Sequence, residues 1–144
     1  MDPVADDMKN FQQLVEDNGF LFNDYEVTTE DGYKLHLYRI RTDDRKAGDP
    51  AVFLQHGFGD SADAFVIHTV DKAPAFQLAT AGFDVWLGNQ RGSKHSIGHE
   101  TLDLASEEYW QFTFQEFGEY DAPAMVEKAL SVSGVSNLTW IGHS

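Results

Sequence analysis

Two short stretches carry the residue types that acyl transfer requires. In one, the apolar run Ala51-Val52-Phe53-Leu54-Gln55 leads directly into His56-Gly57-Phe58-Gly59. In the other, Thr139-Trp140-Ile141 leads into Gly142-His143-Ser144. A glycine-rich turn leaving a strand exposes backbone N–H groups that can receive the negative charge developing on a carbonyl oxygen. A serine reached through Gly-x-Ser at a strand end is how the nucleophile elbow G-x-S-x-G begins, and three of its five positions are present. Each stretch alone is weak, because glycine is the ordinary way out of a strand and three residues match by chance. The pair says more. In an open parallel sheet both turns fall at strand carboxyl ends, on the edge where ligands bind. That would set a candidate donor beside a candidate nucleophile.

The other chemistry-bearing clusters read as structural. "GNQRGSKHS" follows a strand, and Arg91 within it is expected to tie down backbone or carboxylates rather than touch substrate. His95 and His99, with Glu100 beside them, could share a metal only on a helix. Gly92 and Gly98 argue for a loop there, so solvated surface histidines are expected, with no metal and no organic cofactor. "EYWQFTFQEFGEYD" holds Tyr109, Trp110, Phe112, Phe114, Phe117 and Tyr120. It is expected to be aromatic core beneath the following helix, a lipid-contacting patch being the alternative.

Composition narrows the function classes. Lys and Arg number 10 against 24 Asp and Glu, for a formal charge of −14. Such a surface repels phosphate backbones and disfavours attachment to anionic lipid, so nucleic acid is excluded as a partner. Between Glu100 and Glu127 there are eight acids and no Lys or Arg, which reads as a solvated acidic face. There is no cysteine, so disulfides and thiol chemistry are excluded. The longest apolar runs are too short to span a bilayer, and "MDPVADDMKNFQQ" lacks the basic start and apolar stretch of a signal peptide. At 144 residues the chain suits one domain with a real core.

The elements that must position these residues follow from pattern. Asp6 or Asp7 can cap a short helix carrying Phe11, Leu14 and Val15, with Gly19 ending it. "DYEVTTEDGYKLHLYRIR" alternates on either side of Asp31-Gly32, which predicts a hairpin. "AVFLQ", "FDVWLG" and "NLTWIG" read as strands, the first two as continuous apolar runs buried on both faces. "PAFQLATAG" reads as a helix, and "FGEYDAPAMVEKALSVSG" as a longer one closing at Gly134. Pro123 is tolerated in the latter only if the helix begins near it. Strands alternating with helices predict an α/β fold, a mostly parallel sheet led by an antiparallel hairpin.

With those residues in place, "TEDGYKLHLYRI", "VFLQHG", "LATAGFDVWLGNQRG", "EEYWQFTFQEFGEYDAPA" and "WIGHS" resemble the acid lipase family. This is the α/β-hydrolase branch that includes lysosomal acid lipase and gastric lipase. The resemblance runs from Phe20 to Ser144. The residue pattern gives a helical segment over 1–23, and the resemblance implies over 24–144 the N-terminal half of an α/β-hydrolase domain: five strands in the spatial order one, two, four, three, five, ending at the elbow. It implies hydrolysis of lipid carboxylic esters, triacylglycerols or sterol esters, with Ser144 as nucleophile and the Phe58 backbone N–H as an oxyanion donor. Gly57 and His143 would lie beside the substrate, His143 within the elbow and not as the base. "HGFG" replaces a more aliphatic turn, Gln90 stands where a small residue is usual, and cysteines are lacking. The first of these leaves acyl preference open.

The acid and His of the triad follow the serine in this fold, so the 144-residue chain by itself is expected to be inactive. Two further readings stay open. One is a naturally short, inactive relative serving as a structural subunit, its last strand covered by a partner chain or by self-association. The other is a different α/β-hydrolase chemistry, of which aspartate nucleophiles are disfavoured by a serine at the elbow. The resemblance implies a lysosomal or secreted location, which no feature of the chain itself marks.

Overall fold

Asn10 opens the first helix of the computed structural model, which describes residues 10–44 and 46–144. Its side chain accepts from the Gln13 N–H while the Gln13 side chain accepts from the Asn10 N–H, a capping box for α1 (Phe11–Asp17). The caps expected at Asp6 or Asp7 lie outside the described residues. The hairpin of β1 (Leu21–Thr28) and β2 (Lys34–Arg41) follows as expected, then β3 (Ala51–Gln55), α2 (Pro74–Thr80) and β4 (Asp84–Gly88). The chain continues through α3 (Phe114–Glu116) and α4 (Ala122–Ser133) to β5 (Thr139–Gly142). Short 3-10 turns sit at Ala62–Phe65 and Glu108–Trp110.

The five strands lie in the order β1-β2-β4-β3-β5. Only β2 runs against its neighbours, so the other four strands point the same way. This is the mixed, mostly parallel sheet of the sequence reading. Helices cover both faces, which is why β3 and β4 are continuous apolar runs. Val52, Leu54, Val85 and Leu87 pack with Phe11 and Val15 of α1 and Phe76 of α2. Phe53 and Trp86, one residue out of phase, pack with Met125 and Ala129 of α4. Each such side chain fully buried contributes about 1.5–3 kcal/mol.

Polar groups fix the register of those layers. At the start of β4 the buried Asp84 carboxylate accepts from Arg39 Nε and a terminal guanidinium nitrogen at 2.7 and 2.6 Å. The Ser133 hydroxyl at the end of α4 donates to it as well, and itself accepts from Trp86 Nε1–H at 2.8 Å. One serine therefore ties helix to sheet.

Pro123 stands in the first turn of α4, which begins at Ala122, as the sequence required. A π-helical turn at Phe117–Asp121 joins α3 to α4, and the Ala122 N–H reaches back five residues to Phe117 O. Proline lacks an N–H and its ring crowds the carbonyl four residues back. The wider turn before α4 brings the chain into it with the proline in that first turn. The helix ends as expected at Gly134, whose φ of +73° is a left-handed conformation that glycine adopts without steric cost.

The last strand is an edge, as expected. All four residues of β5 are exposed, with Trp140 and Ile141 each 43% accessible, and the Trp140 ring lies flat on Phe53 at 4.7 Å. Among the described residues no helix is long and apolar enough to cross a membrane.

Candidate active site

The two turns singled out by residue type meet in space because β3 and β5 are neighbours in the sheet. The His143 N–H donates to Gln55 O at 3.0 Å, carrying the ladder one residue beyond β5. At that point the chain after β3 presents Gly57. A Cβ built there would lie 3.0 Å from both His143 O and Ser144 Cβ, and 3.3 Å from His143 Nδ1. A side chain there would force these neighbours apart by a few tenths of an ångström. Ser144 has φ of +64°, the left-handed region that non-glycine residues seldom occupy. A serine at the end of a strand in this conformation has the backbone of a sharp elbow, with the residue itself exposed. Gly57 is buried and Phe58 is 88% exposed.

His56 is buried and joins the turns after β3 and β4. Its Nε2 accepts from the Gln90 N–H at 3.3 Å, and its Nδ1 faces Gly57 O at 2.8 Å. Burial pushes its pKa below the usual imidazole value, so the neutral ring is favoured. Sequence reasoning took His56 only as part of a turn. The signal available was a histidine directly after a buried strand.

Asn89 and Arg91 hold the remainder of this edge. Asn89 is buried, its side chain accepting from the Ala62 N–H and donating to His36 O. Arg91 donates from Nε to Asp121 Oδ1 at 2.9 Å and grips Asp31 through two guanidinium nitrogens at 2.6 and 2.9 Å. Its plane covers the Tyr33 ring at 4.0 Å. One cation thus ties the hairpin loop to the π-helical turn, the structural role expected of it. Burial opposes ionisation of Asp31, yet bonds from Arg91 and Thr29 hold its carboxyl below the usual value.

A cleft of about 510 Å³ opens beside Phe58. Phe58, Trp110, Phe112 and Phe117 wall it, and Gln90 to Lys94 line it as well. Ser144 and His143 are not part of its lining. Two sequence expectations are corrected here. Only Tyr109 of the six clustered aromatics is buried, while Trp110 is 48% and Phe114 83% exposed. Tyr109 and Phe112 pack in one cluster with Met125 and Ala129 of α4, whereas Trp110 and Phe117 line the cleft and Phe114 faces solvent. His95 and His99 are not free surface residues either. Both are half-buried, His95 Nε2 lying 2.7 Å from Asp63 Oδ1 and His99 Nε2 2.9 Å from Asp31 O. Among the described residues no cluster of three or more His, Asp or Glu side chains could hold a metal.

A model for the partial alpha/beta-hydrolase lipase region matches residues 11–69, and one for the alpha/beta hydrolase fold matches residues 50–144. The chain belongs to the α/β-hydrolase family, in its acid lipase branch. Lipase 1 of Drosophila melanogaster is 41% identical over 139 residues, covering 96% of this chain and 31% of that protein. Human lysosomal acid lipase/cholesteryl ester hydrolase is 38% identical over 139 residues, covering 94% and 35%. The chain spans about a third of the length of these curated relatives. Among solved structures, a Pyrococcus furiosus esterase superposes with a TM-score of 0.64 at 23% identity, over 93% of this chain and 45% of that one. Epoxide hydrolase A from Mycobacterium thermoresistibile does so with 0.51 at 23% identity, over 86% and 32%. At such identities the likeness is one of fold, which hosts several chemistries.

Proposed function

We propose that this chain is the nucleophile-bearing part of a serine-dependent carboxylic ester hydrolase acting on lipids, of the triacylglycerol lipase or sterol esterase type. The observation that carries the reading is the convergence of the Gly57-Phe58 turn on Ser144, a Cβ at 57 lying only 3.0 Å from a serine at φ +64°. Ser144 Oγ attacks the ester carbonyl carbon while a general base takes its proton. The Phe58 N–H stabilises the oxyanion, the alcohol departs with the proton, and water then releases the fatty acid. Gly57 and His143 flank the reacting carbonyl. No cofactor takes part.

The base and its carboxylate follow the nucleophile in this fold. Among the described residues no imidazole is bonded to Ser144, and His36, His56, His95 and His99 are each held by other partners. The 144-residue chain alone is therefore inactive on this reading. The name of the human relative, lysosomal acid lipase/cholesteryl ester hydrolase, supports a lysosomal setting. The exposed β5 edge favours a second reading, an inactive subunit whose edge a partner strand or a second copy covers.

Intact mass and ester hydrolysis, measured on the protein from its natural source, separate the two. A mass above 16.2 kDa with hydrolysis of triacylglycerol or sterol ester that Ser144→Ala abolishes supports the hydrolase. Hydrolysis that survives Ser144→Ala refutes it. A 16.2 kDa protein that is inactive and co-purifies with a stable partner supports the subunit.

A further inference from the structure

The geometry points to His56 as a positioning residue for the oxyanion donor: its ring holds the Gly57 carbonyl and thereby aims the Phe58 N–H. The inference rests on the hydrolase reading, and begins with the hydrogen bond at the other side of the ring. A backbone N–H can only donate, so the Gln90 N–H at 3.3 Å requires His56 Nε2 to be the unprotonated nitrogen. In the neutral ring the proton is then on Nδ1, which lies 2.8 Å from Gly57 O and donates to it. The tautomer is set by the turn after β4 and used by the turn after β3.

The consequence comes from the planarity of the peptide group. The Gly57 carbonyl and the Phe58 N–H belong to one trans peptide unit, in which they point in opposite directions. Holding the carbonyl toward the buried imidazole turns the N–H away from it. Glycine at 57 leaves this peptide without the restraint a Cβ would add. The turn lies beyond β3, and the Asp60 N–H donates to the same Gly57 carbonyl at 3.2 Å. The clasp from His56, at 2.8 Å, is the shorter of the two bonds that hold it. An oxyanion donor stabilises charge only when it is already aimed, and a misplacement of about 1 Å costs about 10²-fold in rate. His56 itself touches no reacting atom.

The substitution that tests this is His56→Phe, which keeps a buried ring and removes both nitrogens. His56→Asn is its partner, because the Asn amide nitrogen sits on Cγ where Nδ1 does and can donate to Gly57 O. Both are made in the hydrolytically active form of the protein, expressed from its own gene, with a soluble nitrophenyl ester as substrate. His56→Phe is expected to lower kcat about 10- to 100-fold with KM within twofold, and His56→Asn to recover most of that loss. Far-UV circular dichroism and Tm confirm that both variants are folded. A kcat for His56→Phe within twofold of the unsubstituted protein overturns the inference. So does a folded His56→Asn no better than His56→Phe.

A second readout separates this inference from the hydrolase reading. Ring ¹⁵N shifts of selectively labelled histidine are expected to show His56 protonated at Nδ1 and bare at Nε2 near pH 7. The opposite tautomer overturns the clasp whatever the activity. If Ser144→Ala leaves hydrolysis intact, the hydrolase reading fails, and the ring spectrum alone decides whether His56 holds the turn.

Discussion

Arg91→Met tests the most heavily connected contact in the molecule. Arg91 and Asp121 are each about 1% exposed in their side chains, whereas Asp31 is 29% exposed. Removing the cation while keeping its volume strands two carboxylates unequally. Asp31 turns to water, and Asp121 has none to turn to. Breaking a buried pair on one side costs about 3–5 kcal/mol, most of it here from Asp121. Urea unfolding followed by tryptophan fluorescence, at slopes of about 1–3 kcal/mol/M, should show a midpoint lower by about 2 M. The pH dependence supplies the sharper check. Burial already raises the Asp121 pKa, and in Arg91→Met the guanidinium that opposes that rise is gone while the backbone N–H of residue 91, at 2.8 Å, remains. A carboxyl with a raised folded-state value takes up its proton first in the folded protein as pH falls. The deficit should therefore shrink from pH 7 toward pH 4, by up to about 1.4 kcal/mol per pH unit until Asp121 is protonated. Arg91→Met with Asp121→Asn should recover part of the loss at pH 7. A deficit below about 1 kcal/mol at pH 7, or one that does not change with pH, would refute the reasoning.

Other substitutions probe the layers separately. Gly57→Ala puts a methyl 3.0 Å from Ser144 Cβ and His143 O; overpacking should cost about 1–3 kcal/mol in unfolding experiments and lower ester hydrolysis more than stability alone explains. Ser133→Ala leaves the buried Trp86 N–H without an acceptor and should cost about 1–3 kcal/mol, read from the urea midpoint. In Asp63, burial opposes ionisation, but bonds from His95 and Lys94 bring its pKa down to about 2. A depressed carboxylate stabilises the fold above its unfolded value of about 3.8 and loses that contribution as pH falls toward 2. Asp63→Asn should therefore cost about 1–2 kcal/mol near pH 6, after allowance for partial exposure, and almost nothing near pH 2.

What the sequence determined by itself was local. Alternation around Asp31-Gly32, the apolar runs at β3 and β4 and the glycine at 134 each encode backbone shape through neighbours a few residues away. They were enough for the hairpin, the α/β alternation and the helix end. Residue type drew attention to the Gly57 turn and to Ser144, each weak alone, while the part given to the Phe58 N–H came from the family resemblance. Proximity was another matter. Gly57 meets Ser144 only because β5 docks beside β3, a pairing that no local pattern specifies. The partners of Arg91 lie 30 and 60 residues away, and the acceptor role of His56 Nε2 is set by a backbone N–H 34 residues away. Which of the aromatics after Glu108 are covered depended on the distant residues they meet, Met125 and Ala129 for Tyr109 and the cleft for Trp110 and Phe117, which apolar composition could not tell. The π-helical turn that leads into the helix bearing Pro123 was not legible either. Periodicity, caps and turns act over one or two turns of chain, whereas tautomers, ion pairs and close approaches are decided by which distant segments the sheet brings together.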